Sequence, residues 1–181
     1  MIAALRGVVG EHLDDGIVVL DVQGVGYEVH LASATPPRSG ESVSVAVYTV
    51  VRDDAIVLYG FASHAERRLF ATLLATPGVG PSTALAALRT MTRERLVAAI
   101  DAGDVAALTT VPGVGAKTAQ RIVLELRGKL ADEATSLGGD LADALRRLGY
   151  GPTDLSRLDG VTLPDDEAQA LREALRILGR T

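Results

Sequence analysis

The sequence predicts a multidomain α+β protein: a small barrel of short strands, then an all-helical segment built on a duplicated glycine turn, then three short helices. Three observations carry this. Residues 1–62 are short β-rich runs between turn signals. Pro77-Gly78-Val79-Gly80 returns 35 residues later as Pro112-Gly113-Val114-Gly115, and each copy continues two residues on with Thr-Ala, giving six identities in eight positions. The third is a run of small residues at 134–139, a linker composition that sets the last segment apart. The boundaries are a barrel at 1–62, a helical domain at 63–131, a linker at 132–139 and a small helical domain at 140–181.

In the barrel, residues 17–22 and 27–31 are β-rich runs bracketed by Asp14-Asp15-Gly16 and Gly24-Val25-Gly26. Val43, Val45 and Val47 alternate with Ser42, Ser44 and Ala46 before the run continues to Val51, and residues 56–59 resume it after Arg52-Asp53-Asp54-Ala55. Five strands in about 60 residues suit an oligonucleotide-binding (OB) type of barrel, closed because so few strands cannot otherwise shield their edges. Tyr59 and Phe61 share a strand face and read as core. With a net charge of −5 over 1–62, the barrel does not read as a single-strand binder. Asp53-Asp54 falls at a hairpin tip, either a solvated turn or an acidic point that repels phosphates.

From Ser63 the period becomes helical. One helix ends at Thr76-Pro77, and a second runs from Pro81, a favoured first-turn residue, to Arg89. Thr92 caps 93–101, Gly103 closes it, and Asp104 caps a short helix. The longest helix is expected over 116–131. Beyond the linker, Asp140 is expected to cap the next helix, with further starts at Pro152 and Pro164. Around 42 residues in three short helices suit a docking module better than an enzyme.

Composition narrows the function classes. There is no cysteine, which removes disulfides, thiol nucleophiles and Cys-rich zinc sites. His12, His30 and His64 are scattered, with no second ligand at metal spacing. Residues 71–88 carry no charge, but two prolines and two glycines would break a membrane span. No secretion signal is visible, so a cytoplasmic location is expected. The chain's net charge is −5, yet residues 63–130 hold nine Lys/Arg against five Asp/Glu, a local +4. That basic segment holds both glycine turns.

A helix following a Gly-x-Gly turn presents amide N–H groups without internal partners at the positive end of its dipole, which is a phosphate site blind to base sequence. One such turn reads more readily as a helix cap. Two, each led by proline in the basic segment, with Lys117 and Arg121 one helical turn apart after the second, favour phosphate binding.

Both turns look like the helix-hairpin-helix DNA-binding motif. The order of barrel, tandem hairpins, linker and helical tail resembles the RuvA family of bacterial Holliday-junction-binding subunits. The resemblance is carried by Met1-Ile2, Leu5-Arg6-Gly7, Gly24-Val25-Gly26-Tyr27-Glu28-Val29, Val50-Val51-Arg52-Asp53-Asp54, Leu58-Tyr59-Gly60-Phe61, both Pro-Gly-Val-Gly turns, Arg121-Ile122-Val123-Leu124-Glu125-Leu126, and Leu145 with Leu148-Gly149-Tyr150. It implies a homotetramer, one or two per junction, that holds four-way junction DNA. It implies a non-catalytic role in an ATP-dependent branch-migration helicase complex of recombination, SOS-response and DNA-damage repair. The phosphate contacts it implies are Gly78, Val79, Gly80, Gly113, Val114, Gly115, Lys117, Thr118 and Arg121, with Asp53 and Asp54 as an acidic pin. The last segment would be a UBA-like module whose Leu145, Leu148, Tyr150 and Leu175 face the hexameric RuvB motor. No cofactor is implied for this chain, since ATP and Mg belong to the motor; a junction resolvase is a further implied partner. Ser82 and Ala116 stand where the family often has a basic residue, which leaves more of the grip to backbone donors.

Three other readings meet the residues less well. A phosphate-loop NTPase needs glycine at 111 and 116, where the chain has valine and alanine. A helix-hairpin-helix DNA glycosylase with Lys117 as nucleophile needs a partnering Asp on a Pro-bearing segment some 20 residues on and aromatic pocket walls. The region 134–139 has no proline, and 71–149 has no Phe, Tyr or Trp. The third is a scaffold whose hairpins touch only protein.

Overall fold

The computed structural model describes all residues except 15, 54, 131–138, 159, 160, 162, 165, 166, 180 and 181. It divides into two compact units, Met1–Arg127 and Gly128–Thr181.

The first unit opens with five strands: β1 (Ala4–Asp14), β2 (Ile17–Val22), β3 (Val25–Leu31), β4 (Ser42–Val51) and β5 (Ile56–Phe61). They close in the order β1-β2-β3-β5-β4, with β4 returning to β1 and β3 running parallel to β5. The expected OB-like barrel is therefore present. Residues 43–51 make one strand, and the fifth is the 11-residue β1, which no run singled out above. Gly7 and Gly10 interrupt its alternation, and its pairing with β2 is irregular between Val9 and Asp14.

Period-2 alternation sorts the strand residues. Leu5, Val9, Val18, Leu20, Val29, Leu31, Val45, Val47 and Leu58 fill the barrel. Gly60 faces the same interior: a Cβ there would lie 2.6 Å from Val29 Cγ1 and 2.9 Å from Leu31 Cδ2, so only glycine fits without repacking. Tyr59 and Phe61 point the other way and are buried under α1 (His64–Leu74), as their shared face suggested. Phe70 of α1 is fully buried, its ring centroid 4.9 Å from Phe61, 5.1 Å from Tyr59 and 5.4 Å from Tyr48. Burial also raises the Tyr59 hydroxyl pKa, an effect Arg52 partly offsets.

The helices continue with α2 (Pro81–Thr90), α3 (Arg93–Ala102), α4 (Val105–Leu108) and α5 (Ala116–Leu126). Ser63, Thr92 and Asp104 each accept a backbone N–H as N-caps, and Gly103 closes α3 in the left-handed region. Helix α5 is shorter than expected. Arg127 leaves helical geometry at φ −57°, ψ 127°, and Gly128 follows at φ +75°, so Lys129 and Leu130 lie beyond the helix rather than on its apolar stripe.

The second unit holds α6 (Gly139–Arg147), α7 (Pro152–Leu155) continued by a 3-10 turn (Ser156–Leu158), and α8 (Glu167–Leu178). Leu141, Leu145, Leu155, Leu158, Ala170, Ala174 and Leu178 form its core. Gly139 is the first residue of α6, so Asp140 lies within the helix and the expected linker gives way to helix at 139. The rest of the expected linker, 132–138, lies outside the described residues.

Candidate nucleic-acid interface

The two glycine turns have the same backbone. Gly78 and Gly113 sit at φ +86° and +82°, where an L side chain is strained. The Val79 amide donates to the Thr76 carbonyl at 3.1 Å, and the Val114 amide to the Val111 carbonyl at 3.0 Å. Gly80 and Gly115 are then the N-caps of α2 and α5, both extended, and among the described residues neither helix receives a side-chain cap. The first intrahelical bonds also match: Ala84 N–H to Gly80 and Ala119 N–H to Gly115, both 2.9 Å. The opening amides of each helix are left pointing out of the turn.

Val79 and Val114 are 6% and 7% exposed, so their side chains anchor the turns and only their backbone faces outward. Gly78, Gly80, Gly113, Gly115, Lys117 and Arg121 are exposed, and Thr118 is half-buried.

The turns are also neighbours. The Arg121 Nη1 donates to the Pro77 carbonyl at 3.3 Å, and lies 3.8 Å from where a Cβ on Gly78 would be. Thr83 Oγ1 of the first copy lies 3.6 Å from the equivalent point on Gly113. Each copy thus reaches the other's turn, and two uncapped helix starts share one surface. Thr83 was not among the expected contacts, although the 35-residue repeat pairs it with Thr118 and could have pointed to it.

The local charge is spent unevenly. Of the nine basic residues between 63 and 130, Arg67, Arg68, Arg89 and Arg93 are half-buried, and Arg95, Lys117, Arg121, Arg127 and Lys129 are exposed. Arg89 is structural: its Nε donates to the Leu31 carbonyl at 2.8 Å and its Nη2 to the Gly16 carbonyl at 3.1 Å, tying α2 to the barrel. A cleft of about 570 Å³ between barrel and helices is lined by residues such as Leu31, Val43, Phe61, Glu66, Leu88 and Arg93, and by neither turn. Lys117 is not among the residues that line this cleft, so the cleft is not a base pocket built around that side chain. Among the described residues no cluster of His, Asp and Glu could hold a metal, and no helix is long and apolar enough to cross a membrane.

Asp53 is exposed at the tip of the β4–β5 hairpin, where the Arg52 amide donates to the Ala55 carbonyl at 2.8 Å. Asp54 lies outside the described residues. In the second unit the implied partner-facing set divides. Leu148 is 57% exposed, and Tyr150 and Leu175 are half-buried. Leu145 is 0% exposed at the centre of the core, so in this structure it packs the module and cannot also face a partner.

A five-stranded barrel carrying two helix-glycine-helix turns on one surface defines a helix-hairpin-helix protein of the nucleic-acid-binding class. The family described as RuvA N terminal domain matches residues 1–60, and the SAM-like helix-hairpin-helix tandem matches 70–129. The chain is 40% identical over 191 residues to a protein of Xylella fastidiosa (strain 9a5c) named Holliday junction branch migration complex subunit RuvA, covering 97% of this chain and 98% of that one. It is 41% identical over 197 residues to the protein of the same name from Solidesulfovibrio magneticus, covering 98% of each. A Klebsiella pneumoniae protein of that name is 39% identical over 201 residues, 97% of this chain and 98% of that one. The chain belongs to the RuvA family.

Proposed function

We propose that this protein is the junction-recognition subunit of a branch-migration complex, binding four-way DNA and performing no chemistry of its own. The observation that carries the reading is the pair of geometrically matched, uncapped helix starts on one surface, in a chain that aligns with Holliday-junction subunits over nearly its whole length. Gly78, Val79, Gly80, Gly113, Val114 and Gly115 offer backbone to phosphates, with Lys117, Thr118 and Arg121 beside them. Such contacts fix position on a duplex without reading bases, so selectivity comes from the arrangement of arms. A homotetramer, one or two per junction, presents the turns to four arms, because one copy has turns for only part of a four-fold target.

Asp53 and Asp54 serve as the acidic pin at the crossover, where carboxylates repel phosphate strands. The second unit recruits the ATP-driven RuvB motor through Leu148, Tyr150 and Leu175; ATP and Mg belong to that motor, and a junction resolvase can share the complex. The protein works in recombination and repair in the cytoplasm.

The deciding experiment is a gel shift of four-way junction against linear duplex of the same sequence. The junction is expected to bind more tightly, with affinity falling by about 0.9 log units per log unit of salt for each phosphate neutralised. Equal affinity for the two substrates would remove the junction reading.

A further inference from the structure

The two turns match in backbone but not in charge. The 35-residue repeat pairs Lys117 with Ser82 and Arg121 with Ala86, so both cations after the glycines belong to the second copy. The first copy is poorer in amides as well, because Pro81 at the first position of α2 has no N–H where Ala116 supplies one in α5. Taken copy by copy, the first turn holds a phosphate with fewer donors and no cation.

The side-chain geometry changes that account. Arg121 rises from the second turn of α5, and its guanidinium crosses to the first copy: Nη1 is 3.3 Å from the Pro77 carbonyl and 3.8 Å from the Cβ position of Gly78. The guanidinium has five N–H donors in a planar fork, so one bond to a carbonyl holds it in place and leaves the others for an anion. The Pro77 carbonyl thereby fixes the arginine beside the outward-facing amides of the first turn.

We infer that Arg121, borne by the second hairpin, is the cation of the first hairpin's phosphate site, while Lys117 serves the second. One helix, α5, supplies a positive charge to each turn, and the missing basic residue at Ser82 is replaced from across the hairpin pair. The inference rests on the reading of the turns as phosphate sites and says which residue serves which turn. The crossing also fixes the spacing of the two sites, because the arginine that binds at one turn is rooted in the other.

The test moves one charge between the turns. Arg121→Ala is expected to weaken four-way junction binding about tenfold, the loss of one charge-assisted contact, and to lower the salt slope by about one unit. Ser82→Lys in the Arg121→Ala background returns the charge to the first turn, and Ala116→Lys returns it to the second. The inference expects Ser82→Lys to restore most of the affinity and Ala116→Lys to restore little. In the unaltered background Ser82→Lys should gain less than it does beside Arg121→Ala, a coupling read from the double-mutant cycle. Equal rescue by both lysines, rescue by Ala116→Lys alone, rescue by neither, or additive effects of Ser82→Lys in the two backgrounds would each overturn it. Because Ser82→Lys alone yields part of the cycle, a folding defect in Arg121→Ala, checked by circular dichroism, would still leave Arg121→Gln to complete it. If the unaltered protein does not bind the junction at all, the phosphate reading fails first; if it binds and Arg121→Ala does not weaken it, only the inference fails.

Discussion

The two hairpins are one design put to two uses. Their turns agree to within a few degrees and a tenth of an ångström, yet the flanking helices differ. The first copy is entered from α1, eleven residues long and packed on the barrel through Phe70, and left by α2, whose Ala84, Leu85, Ala87 and Leu88 are buried and whose Arg89 is bonded to barrel carbonyls. The second is entered from the one-turn α4 and left by α5, which buries Ala119, Ile122 and Leu126 and exposes Lys117, Arg121 and Leu124. The first hairpin is thus the structural tie and the second the charged arm. The copies share their turn residues and the Thr-Ala that follows, and differ in the helices that flank them.

The largest effect should fall where the copies agree. Gly78→Ala and Gly113→Ala each force a Cβ into the left-handed region without a steric clash, since the nearest atoms are 3.8 and 3.6 Å away. Each should cost about 1–2 kcal/mol from backbone strain alone, measured by urea unfolding. The two losses should be alike. A large loss in one copy and none in the other would show that the turns are not under the same constraint.

A smaller effect should appear where they differ inside the core. Thr76 and Val111 occupy the same place before the Pro-Gly, both nearly fully buried at 2% and 3% exposed. Among the described residues the Thr76 hydroxyl has no hydrogen-bond partner. Valine has the same shape without the polar atom, so Thr76→Val should stabilise the protein by about 1 kcal/mol, and Val111→Thr should destabilise it by a similar amount. If both substitutions lower the unfolding midpoint, the hydroxyl is doing something at the first turn that the second does without.

Much of this was legible in sequence because it rests on local rules. The glycine turns, the helix starts at Pro81 and Pro152 and the caps at Thr92 and Asp104 are fixed by residues within four positions of one another and are legible in the pattern, whereas the last helix, expected from Pro164, is described from Glu167. What stayed hidden was set at long range. Strand β1 escaped because glycines break its alternation, and its place is decided by pairing with β2 and β4. Helix α5 ends at Leu126 although its apolar period runs on past the break at Arg127 and Gly128. The charge count treated Arg89 and Arg121 alike, although one is bonded into the barrel and the other lies over a turn. Leu145 and Leu148 share a helical period, and only packing separates the buried one from the exposed one.

The smallest effect concerns how each hairpin is entered. Helix α4 begins at the exposed cap Asp104, which accepts from the Ala107 amide at 2.9 Å. Helix α1 begins at a capping box: Ser63 Oγ accepts from the Glu66 amide at 3.2 Å, and Glu66 Oε2 accepts from the Ala62 amide at 3.0 Å. The reciprocal bond draws the Glu66 carboxyl against the protein, and burial raises its pKa above the usual carboxylate value; the Ala62 amide pulls the other way and Glu94 adds to the rise. A raised carboxyl favours the protonated folded state, so its contribution is present below the ordinary Glu value of about 4.3 and is lost as pH climbs through the folded pKa. Glu66→Gln keeps an oxygen for the Ala62 amide and removes the charge. The variant's thermal midpoint should therefore gain on the unaltered protein as pH rises from about 4 towards 7. A difference that stays constant across that window would mean the carboxylate is solvated in solution, and that the first hairpin's entry is no more demanding than the second's.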